Sequence, residues 1–370
     1  MRISPLLLFA ASAAHAAITG TIIGTDGKPV AGATIEALVA EGSAVSRARL
    51  LSSSPQRTPV ASVQSAQNGS FSIDPKSPLA DLVVRVGGRT AAMVEIPDGE
   101  DAGVIVASPE SHRGVRIVAD GKPVSDALVV AGPLTVRTNA QGEADTPDTV
   151  LGRPIVIVPG LAPYEEMVAD AGFGRPTLTL TRGVALTGKV VAADGSPVEH
   201  AAVAVDGWPL GETNAAGEFA IAHAPKNWRR TTAVRGALAG EVLNKGRVNT
   251  IRLAPAVTIS GVVHDPAGKA IAGARVMLRR PNDPSTPDSV ISDATGAFAF
   301  PPVTPGDYSL LAIHQSYAFS DTTITASKST TKSIEGKPFT AITGRVVDES
   351  HAPVAGAVVS FGIRPFFTGG

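Results

Sequence analysis

The sequence VTISGVVHDPAGKAIAGARVMLR, residues 257–279, contains two segments in which small or apolar residues alternate with polar ones. Successive side chains of a β-strand point to opposite faces, so each segment predicts a strand with one buried face. The residues DPAG at 265–268 lie between the segments and are typical of a turn. We therefore expect a common core to receive Val257, Ile259, Gly261 and Val263 from the first strand, and Ala274, Val276 and Leu278 from the second.

The same pattern occurs five times along the chain of 370 residues. In each copy a glycine is followed ten residues later by Val or Ile, thirteen later by Ala and fifteen later by a β-branched residue. The copies begin 73 to 94 residues apart, a spacing that corresponds to small domains. The glycines are Gly20, Gly114, Gly188, Gly261 and Gly344, and the matching alanines are Ala33, Ala127, Ala201, Ala274 and Ala357.

The residues shared by the copies predict structural roles. Asp-Gly pairs such as Asp26-Gly27 predict a turn after the first strand, and the proline that follows sets φ where the chain re-enters the sheet. The shared alanines predict places where the packed elements are too close for a larger side chain. The prolines are Pro29, Pro123, Pro197 and Pro353, and the fourth copy has Ala270 instead.

A second landmark follows each of the first four copies: a polar turn with a glycine, and an apolar residue two positions later. Glycine accepts the positive φ that tight turns need, so each landmark predicts a β-hairpin whose apolar residue returns to the core. That residue is Phe in three copies and Ala144 in the second. The turns lie at Asn68–Phe71, Asn139–Ala144, Asn214–Phe219 and Asp293–Phe298.

Short strands separated by frequent turns predict an all-β protein built of tandem sandwich modules. Little sequence remains at the junctions, so we expect the modules to abut in a semi-rigid rod. The predicted organisation is a signal peptide at 1–16, module 1 at 17–108, module 2 at 109–182, module 3 at 183–254, module 4 at 255–337 and an incomplete module 5 at 338–370.

Module 1 alone carries an insert, near residues 41–60, which is rich in Ser and Arg. Such an insert is typical of a surface loop, and we expect it to be disordered. Module 5 ends after two predicted strands, which cannot bury a sandwich face, so we interpret the chain as a C-terminally incomplete fragment. In the alternative, this last hairpin docks onto module 4, and residues 338–361 then pair with that module.

The N-terminus has the features of a secretory signal peptide. Met1-Arg2 precedes an apolar run, and Ala14-His15-Ala16 fits a cleavage site, so we expect the mature chain to begin near Ala17. The chain has no cysteine. Its formal net charge is −1, and its sequence has no cluster of basic residues of the kind that binds nucleic acid. An exported protein without disulfides favours a bacterial source, and no later stretch has the roughly 20 apolar residues of a membrane span.

Together these motifs resemble the carboxypeptidase regulatory-like domain. The motifs are Gly-x-Val, a turn containing Asp and Gly, Pro-Val/Leu-x-Gly-Ala-x-Val and Thr-Asp/Asn-x-x-Gly-x-Phe, and the best carriers are the copies that start at Gly188 and Gly261. The resemblance implies a transthyretin-like, seven-stranded β-sandwich of the carbohydrate-binding-like group, and the modules are also similar to collagen-adhesin B-type modules. It further implies an accessory part of an exported bacterial protein.

No motif in the sequence predicts catalysis, a metal site or a cofactor. The histidines show neither H-x-H nor H-E-x-x-H spacing, and the nucleophile motif G-x-S-x-G is missing. We therefore expect a protein that is not an enzyme. The histidines are His15, His112, His200, His223, His264, His314 and His351.

Trp208 and Trp228 are the weak candidates for a binding site. Sugar binding uses flat aromatic rings, and these are the only two tryptophans, both in module 3. The alternative interpretation is that each indole covers the edge of a small core, which is the commoner fate of tryptophan.

The leading hypothesis is a non-enzymatic exported bacterial protein whose tandem modules act as a structural spacer or interaction stalk, in the periplasm, at the cell surface or outside the cell. Carbohydrate-binding modules are one alternative, and an N-terminal accessory region of a larger outer-membrane receptor or exported enzyme is another. The partner would be a polysaccharide or a cell-surface protein. Because shared residues serve the fold, specific activity is expected where the copies differ, at Trp208, Trp228 and the insert.

Overall fold

The computed structural model describes residues 16–109, 114–146, 154–165, 175–244, 250–281, 283, 288–339, 344–354 and 357. Within these residues the chain forms β-strands and one short helix, which confirms the all-β fold class. Across the same described ranges, no helix has the length and apolar character needed to cross a membrane.

Modules 1 to 4 repeat one sandwich of two sheets. In the smaller sheet the first strand of the module lies in the middle, antiparallel to the strand that follows the polar turn and parallel to a strand near the end of the module. In the larger sheet the strand that follows the shared alanine lies between the next strand in the sequence and the strand that comes after the polar-turn strand, and one or two later strands complete the sheet at its edge. The apolar faces of the two sheets pack against each other.

Module 1 has the sheet orders β4-β1-β7 and β3-β2-β5-β6, and its insert forms the helix α1 between β2 and β3. Its elements are β1 (Ile18–Gly24), β2 (Thr34–Val39), α1 (Ser43–Leu50), β3 (Ala61–Gln64), β4 (Ser70–Ile73), β5 (Leu79–Val86), β6 (Arg89–Pro97) and β7 (Asp101–Ala107).

Module 2 has the orders β12-β8-β15 and β11-β10-β13-β14, with the short β9 also paired to β8. Its strands are β8 (Val115–Ala119), β9 (Lys122–Pro123), β10 (Leu128–Ala131), β11 (Leu134–Arg137), β12 (Glu143–Ala144), β13 (Ile155–Ile157), β14 (Tyr164–Glu165) and β15 (Thr177–Leu180).

Module 3 has the orders β19-β16-β22 and β18-β17-β20-β21-β23, and β23 reaches one residue past the predicted boundary at residue 254. Its strands are β16 (Val184–Val191), β17 (Ala202–Val205), β18 (Trp208–Glu212), β19 (Glu218–Ala224), β20 (Arg230–Arg235), β21 (Leu238–Leu243), β22 (Thr250–Arg252) and β23 (Ala254–Pro255).

Module 4 has the orders β27-β24-β31 and β26-β25-β28-β30, and the alternate residues predicted to face its core are buried. Its strands are β24 (Ile259–His264), β25 (Arg275–Arg279), β26 (Asp288–Ile291), β27 (Ala297–Ala299), β28 (Gly306–Ile313), β29 (Tyr317–Ala318), β30 (Thr322–Ala326), β31 (Thr330–Glu335) and β32 (Lys337–Pro338).

A buried hydroxyl joins the same two backbone positions in every complete module. In module 4 the Ser292 Oγ accepts the N–H of Ala274 at 2.8 Å and donates to the carbonyl of Ile271 at 2.9 Å. The shared alanine is buried in all four modules. The equivalent hydroxyls are those of Ser65, Thr138 and Thr213, which contact Ala33, Ala127 and Ala201 in the same way.

The glycine that begins the repeat makes room for a phenylalanine on the neighbouring strand. Gly20 pairs with Phe71, and a Cβ at Gly20 would lie 2.7 Å from the Phe71 ring. Gly261 and Phe298 pair in the same way, with a corresponding distance of 2.8 Å. Without a side chain on the glycine, the aromatic ring can lie across the first strand and fill the core.

Module 2 departs from this pairing, and the departure explains its missing phenylalanine. Its turn after the first strand is one residue shorter: Val118 pairs with Pro123, whereas Ile23 pairs with Pro29 in module 1. The residue opposite Ala144 is therefore Val115, and the sequence alignment on Gly114 is wrong by one position. Val115 is fully buried, so a Val–Ala pair fills the space that Gly–Phe fills elsewhere.

The polar turns that carry the second landmark are not hairpins within one sheet, and that prediction is wrong. In module 4 the turn joins β26 of the larger sheet to β27 of the smaller one. The local geometry is tight all the same, because Asp293 Oδ1 accepts the N–H groups of Thr295 and Ala297, and Gly296 has φ +76°. The turn therefore crosses between the two sheets and directs Phe298 into the core between them.

The modules do not follow one another as a simple rod. Module 1 and module 4 are in contact, because Arg275 bonds Glu95 and the backbone carbonyl of Glu41. The insert predicted to be a disordered loop instead forms α1, which contacts β18 of module 3 and β26 of module 4. Short junctions determine only how sequence neighbours meet, and the contact between modules 1 and 4 depends on side chains far apart in the sequence.

Module 5 is described at residues 344–354 and 357. Val347 and Pro353 form the bridge that Ile23 and Pro29 form in module 1. At the boundary, Lys337–Pro338 pairs with Tyr317–Ala318 of module 4. Residues 358–370 lie outside the described part, so the fragment and the docked hairpin both stay predictions.

Replacing Ser292 by Ala should lower the free energy of unfolding by about 1–3 kcal/mol, because a buried N–H and a buried carbonyl lose their shared partner. Denaturant unfolding of the full chain measures this change. Ser292→Thr is the matched control, since modules 2 and 3 use Thr at this place, and it should retain most of the stability. Equal stability of Ser292→Ala and the exposed-site variant Ser327→Ala would contradict the role of the hydroxyl.

The Val115–Ala144 pair should be exchangeable for the Gly–Phe pair of the other modules. Val115→Gly alone should cost about 2–4 kcal/mol through the cavity it leaves, and Ala144→Phe alone about 1–3 kcal/mol through overpacking. The double variant should be more stable than the sum predicts by at least about 1 kcal/mol in denaturant unfolding. Strict additivity, as expected for Val115→Gly combined with Ser292→Ala, would show that the two positions do not share one space.

Candidate functional site

The insert of module 1 places a charged side chain at the meeting point of the modules. Arg47 and Leu50, three residues apart on α1, lie on one helix face and are its two buried residues. The other residues of α1 are exposed or half-buried. Arg47 is only 3% exposed, which is unusual for an arginine and indicates specific partners.

The Arg47 guanidinium lies among groups from three other modules. It is 3.6 Å from the Glu165 carboxylate of module 2 and 3.4 Å from the Asp288 carboxylate of module 4. Its carbon Cζ lies 5.6 Å from the centre of the Trp208 ring of module 3, within the range of a cation–π contact. The indole Nε1 of Trp208 donates to Glu165 at 3.1 Å, so the same carboxylate serves both side chains.

The turn before Trp208 is shaped to admit this arginine. Gly207 has φ +81°, and a Cβ there would lie 2.2 Å from Arg47 Nη1. The glycine thus serves the turn and also leaves the space that the guanidinium occupies. Beside it, Leu50, Leu128 and Trp208 form a small buried apolar cluster that joins modules 1, 2 and 3.

Two further contacts tie module 1 to module 4. The backbone N–H of Ser43 donates to Ser289 Oγ at 3.1 Å, and the N–H of Ser289 donates to Ser43 Oγ at 2.8 Å. Burial alone would lower the pKa of the Arg275 guanidinium, but the hydrogen bond and charge of Glu95 outweigh it and raise that pKa. Arg275 is therefore held in its charged form by its partner in module 1.

Modules 3 and 4 are joined by a reciprocal pair of ion pairs. Arg230 of module 3 lies 2.9 Å from Asp283 of module 4, and Arg280 of module 4 lies 3.1 Å from Glu241 of module 3. Arg280 also donates to the hydroxyl of Tyr308 at 2.7 Å. Burial raises the pKa of the Tyr308 hydroxyl, and the Arg280 charge opposes this shift.

A cavity of about 190 Å³ lies between these ion pairs and the start of α1. Its charged wall residues include Arg230, Glu241, Arg280 and Asp283, which are the residues that pair with one another across the junction. Phe300 and Pro302 provide an apolar part of the wall. The cavity is thus a gap of mixed polar and apolar lining at a packed junction, and these four charged residues already pair with one another.

Both candidate tryptophans are buried. Trp208 is 2% exposed and contacts the insert, and Trp228 is 4% exposed in the core of module 3. The backbone after Trp228 is fixed by Asp206, whose carboxylate accepts the N–H groups of Arg229 and Arg230. Neither indole offers an open face for a sugar ring, so the interpretation as core-edge residues describes them better.

The three places where the copies differ are thus not equivalent. The structure brings together the insert and Trp208, and leaves Trp228 apart in its own module. Arg47 and Glu165, which sequence reasoning missed, complete this site. The Arg-rich composition of the insert pointed to Arg47, and no sequence signal pointed to Glu165, because the matching of distant charges has no local signature.

The described histidines do not form a metal centre. Throughout the described ranges, no group of three or more His, Asp or Glu side chains is arranged to hold a metal ion. Burial lowers the pKa of the His314 imidazole, and His264 bonds Ser333 on a neighbouring strand. His15 and His112 lie outside the described residues.

Residues 258–335 match the family described as the carboxypeptidase regulatory-like domain, which confirms the resemblance expected for module 4. No curated protein matches the chain.

Among solved structures, the chain is similar to the minor pilin GBS52 of Streptococcus agalactiae, with 17% identity, coverage of 44% of this chain and 99% of that chain, and a TM-score of 0.23. It is also similar to the TIE protein of Bacillus anthracis, with 11% identity, coverage of 83% and 68%, and a TM-score of 0.20. A DUF3823 family protein of Parabacteroides merdae has 19% identity, coverage of 25% and 52%, and a TM-score of 0.21.

Arg275 and Glu95 should be energetically coupled if modules 1 and 4 touch in solution. The variants Arg275→Ala and Glu95→Ala, and their combination, form a double-mutant cycle in denaturant unfolding. We expect a coupling energy of about 0.5–3 kcal/mol, because each variant removes the same contact. Arg275→Ala combined with exposed Glu335→Ala should be additive. Additivity of the Arg275–Glu95 cycle as well would mean that the two modules are apart.

Proposed function

We propose that this chain, in which residues 258–335 form a carboxypeptidase regulatory-like domain, is a non-enzymatic exported bacterial protein whose modules serve as a structural support for interactions with other molecules. The observation that carries this proposal is that the polar side chains of the chain bond to its own backbone and to one another. The shared Ser, Thr, Asn and Asp residues bond backbone groups within each module, and the arginines between modules pair with carboxylates.

This use of polar groups supports a structural role over a catalytic one. An enzyme of the hydrolase type needs a nucleophile, a base within hydrogen-bond reach and donors for a developing charge. At the most elaborate polar site described here, Arg47 is surrounded by an indole and two carboxylates, a set that binds a cation and offers no nucleophile–base pair.

Export is the second part of the proposal, and the sequence supports it. The apolar run after Met1-Arg2 and the Ala-x-Ala site at Ala14–Ala16 fit a signal peptide, although residues 1–15 lie outside the described part. Because the chain has no cysteine, no disulfide joins the modules, and the contacts between them include ion pairs and a small apolar cluster. A support role at or beyond the cell envelope combines these features, and its partner is a polysaccharide or a cell-surface protein.

The full-length chain, expressed in a bacterial host, should be recovered outside the cytoplasm and should lack its first 16 residues. Its purified form should show no turnover of chromogenic peptidase, esterase, glycosidase and phosphatase substrates above the rate without protein. Ala16→Arg, which spoils the cleavage site, is the control for processing. Turnover that follows the protein through purification, or mature chain found only in the cytoplasm, would refute the corresponding half of the proposal.

A further inference from the structure

The helix α1 lacks the local features that stabilise an isolated helix. It has eight residues, its N-terminal cap Gly42 provides no side-chain hydrogen bond, and its first turn has no acidic residue. Isolated helices shorter than about 12–15 residues are marginal in water, so α1 is helical because it is docked. The folding of this segment and its docking against modules 2, 3 and 4 are therefore one event.

The docking contact is small beside the cores of the modules. It buries three apolar residues, Leu50, Leu128 and Trp208, whereas the core of module 4 alone buries fifteen. Four half-buried apolar residues, Val130, Ile155, Ile157 and Leu210, pack against these three. The polar part of the contact includes Arg47 with its partners and the Ser43–Ser289 pair. Local opening requires less free energy where fewer apolar contacts are broken, so α1 can leave without unfolding any module.

The contacts that would open next are also mostly polar. Modules 1 and 4 meet through the Arg275–Glu95 pair and through Gly273, whose backbone lies against Pro78 and Pro97. Modules 3 and 4 meet through Arg230–Asp283 and Arg280–Glu241. These side chains are partly solvated in the closed arrangement and become fully solvated when the junctions separate, which offsets the loss of the pairs.

We propose that α1 is a releasable strap: while docked it holds the four modules in the closed arrangement, and once released it lets them separate into an extended chain. This goes beyond the support role, because the chain then has two arrangements, one closed and one extended. It depends neither on export nor on the absence of catalysis, so its test is independent of theirs.

Native-state thiol labelling tests the release directly, because the chain has no cysteine of its own. Leu50→Cys reports on the strap, and Leu82→Cys, a fully buried leucine in the core of the same module, is the matched control. Under native conditions the cysteine at position 50 should react with an alkylating reagent at least about tenfold faster than the one at position 82. Equal protection of the two thiols would overturn the proposal.

Replacing Leu50 removes part of the docking contact, so a second measurement leaves the leucine in place. The pair Ser43→Cys and Ser289→Cys introduces a crosslink between two positions whose backbones already bond each other's hydroxyls. In an Arg47→Ala background, the reduced form should have a larger radius of gyration in small-angle X-ray scattering than the oxidised form. Identical radii for the two forms would show that the strap does not hold the modules together.

Circular dichroism of the oxidised and reduced forms separates opening from unfolding. Both forms should have the same β-strand signal, because each module keeps its own core. An increase in radius accompanied by loss of that signal would mean that the modules unfold, which contradicts a strap.

Discussion

The fold of each module depends on the buried hydroxyl that bonds the backbone at the shared alanine. Where the strand after the shared alanine begins, the N–H of that buried alanine and a nearby carbonyl both need a partner. A Ser or Thr hydroxyl can accept one hydrogen bond and donate another, so a single short side chain satisfies both groups. These two hydrogen bonds therefore fix the position of the strand that follows the alanine relative to the next strand.

Sequence reasoning recovered what depends on neighbouring residues. The alternation in β24 and β25 located both strands and their buried faces, and the glycine of each polar turn has the positive φ that was expected. Sequence reasoning was wrong about which sheet each of the two strands flanking a polar turn belongs to. The turn before Phe298 looks like a hairpin because its own hydrogen bonds are those of a tight turn, and only the pairing of β26 with β25 shows that the flanking strands belong to different sheets.

The relative placement of the modules was beyond the sequence for another reason. Arg47 and Asp288 are 241 residues apart, and the matching of one charge to another leaves no periodic pattern. The comparison of copies did isolate the insert and Trp208 as features that the shared fold does not need. It could not show that the insert and Trp208 are in contact. In the sequence Gly207 is an ordinary turn residue, and only the structure shows that the Arg47 guanidinium lies against it.

Arginine provides the cation of every ion pair between modules in the described part of the chain. Its guanidinium stays charged when buried, stacks on aromatic rings as Arg47 does on Trp208 and Arg280 on Tyr308, and donates in several directions at once. Most of these ion pairs are only partly buried, and such a pair adds little net stability because both charges lose part of their water, but a charge left there without its partner is unfavourable. Such pairs therefore select one arrangement of the modules while leaving it only modestly stable. The junctions between modules are therefore specific but only modestly stable. The module cores differ from them, because apolar burial stabilises each core whatever the relative placement of the modules.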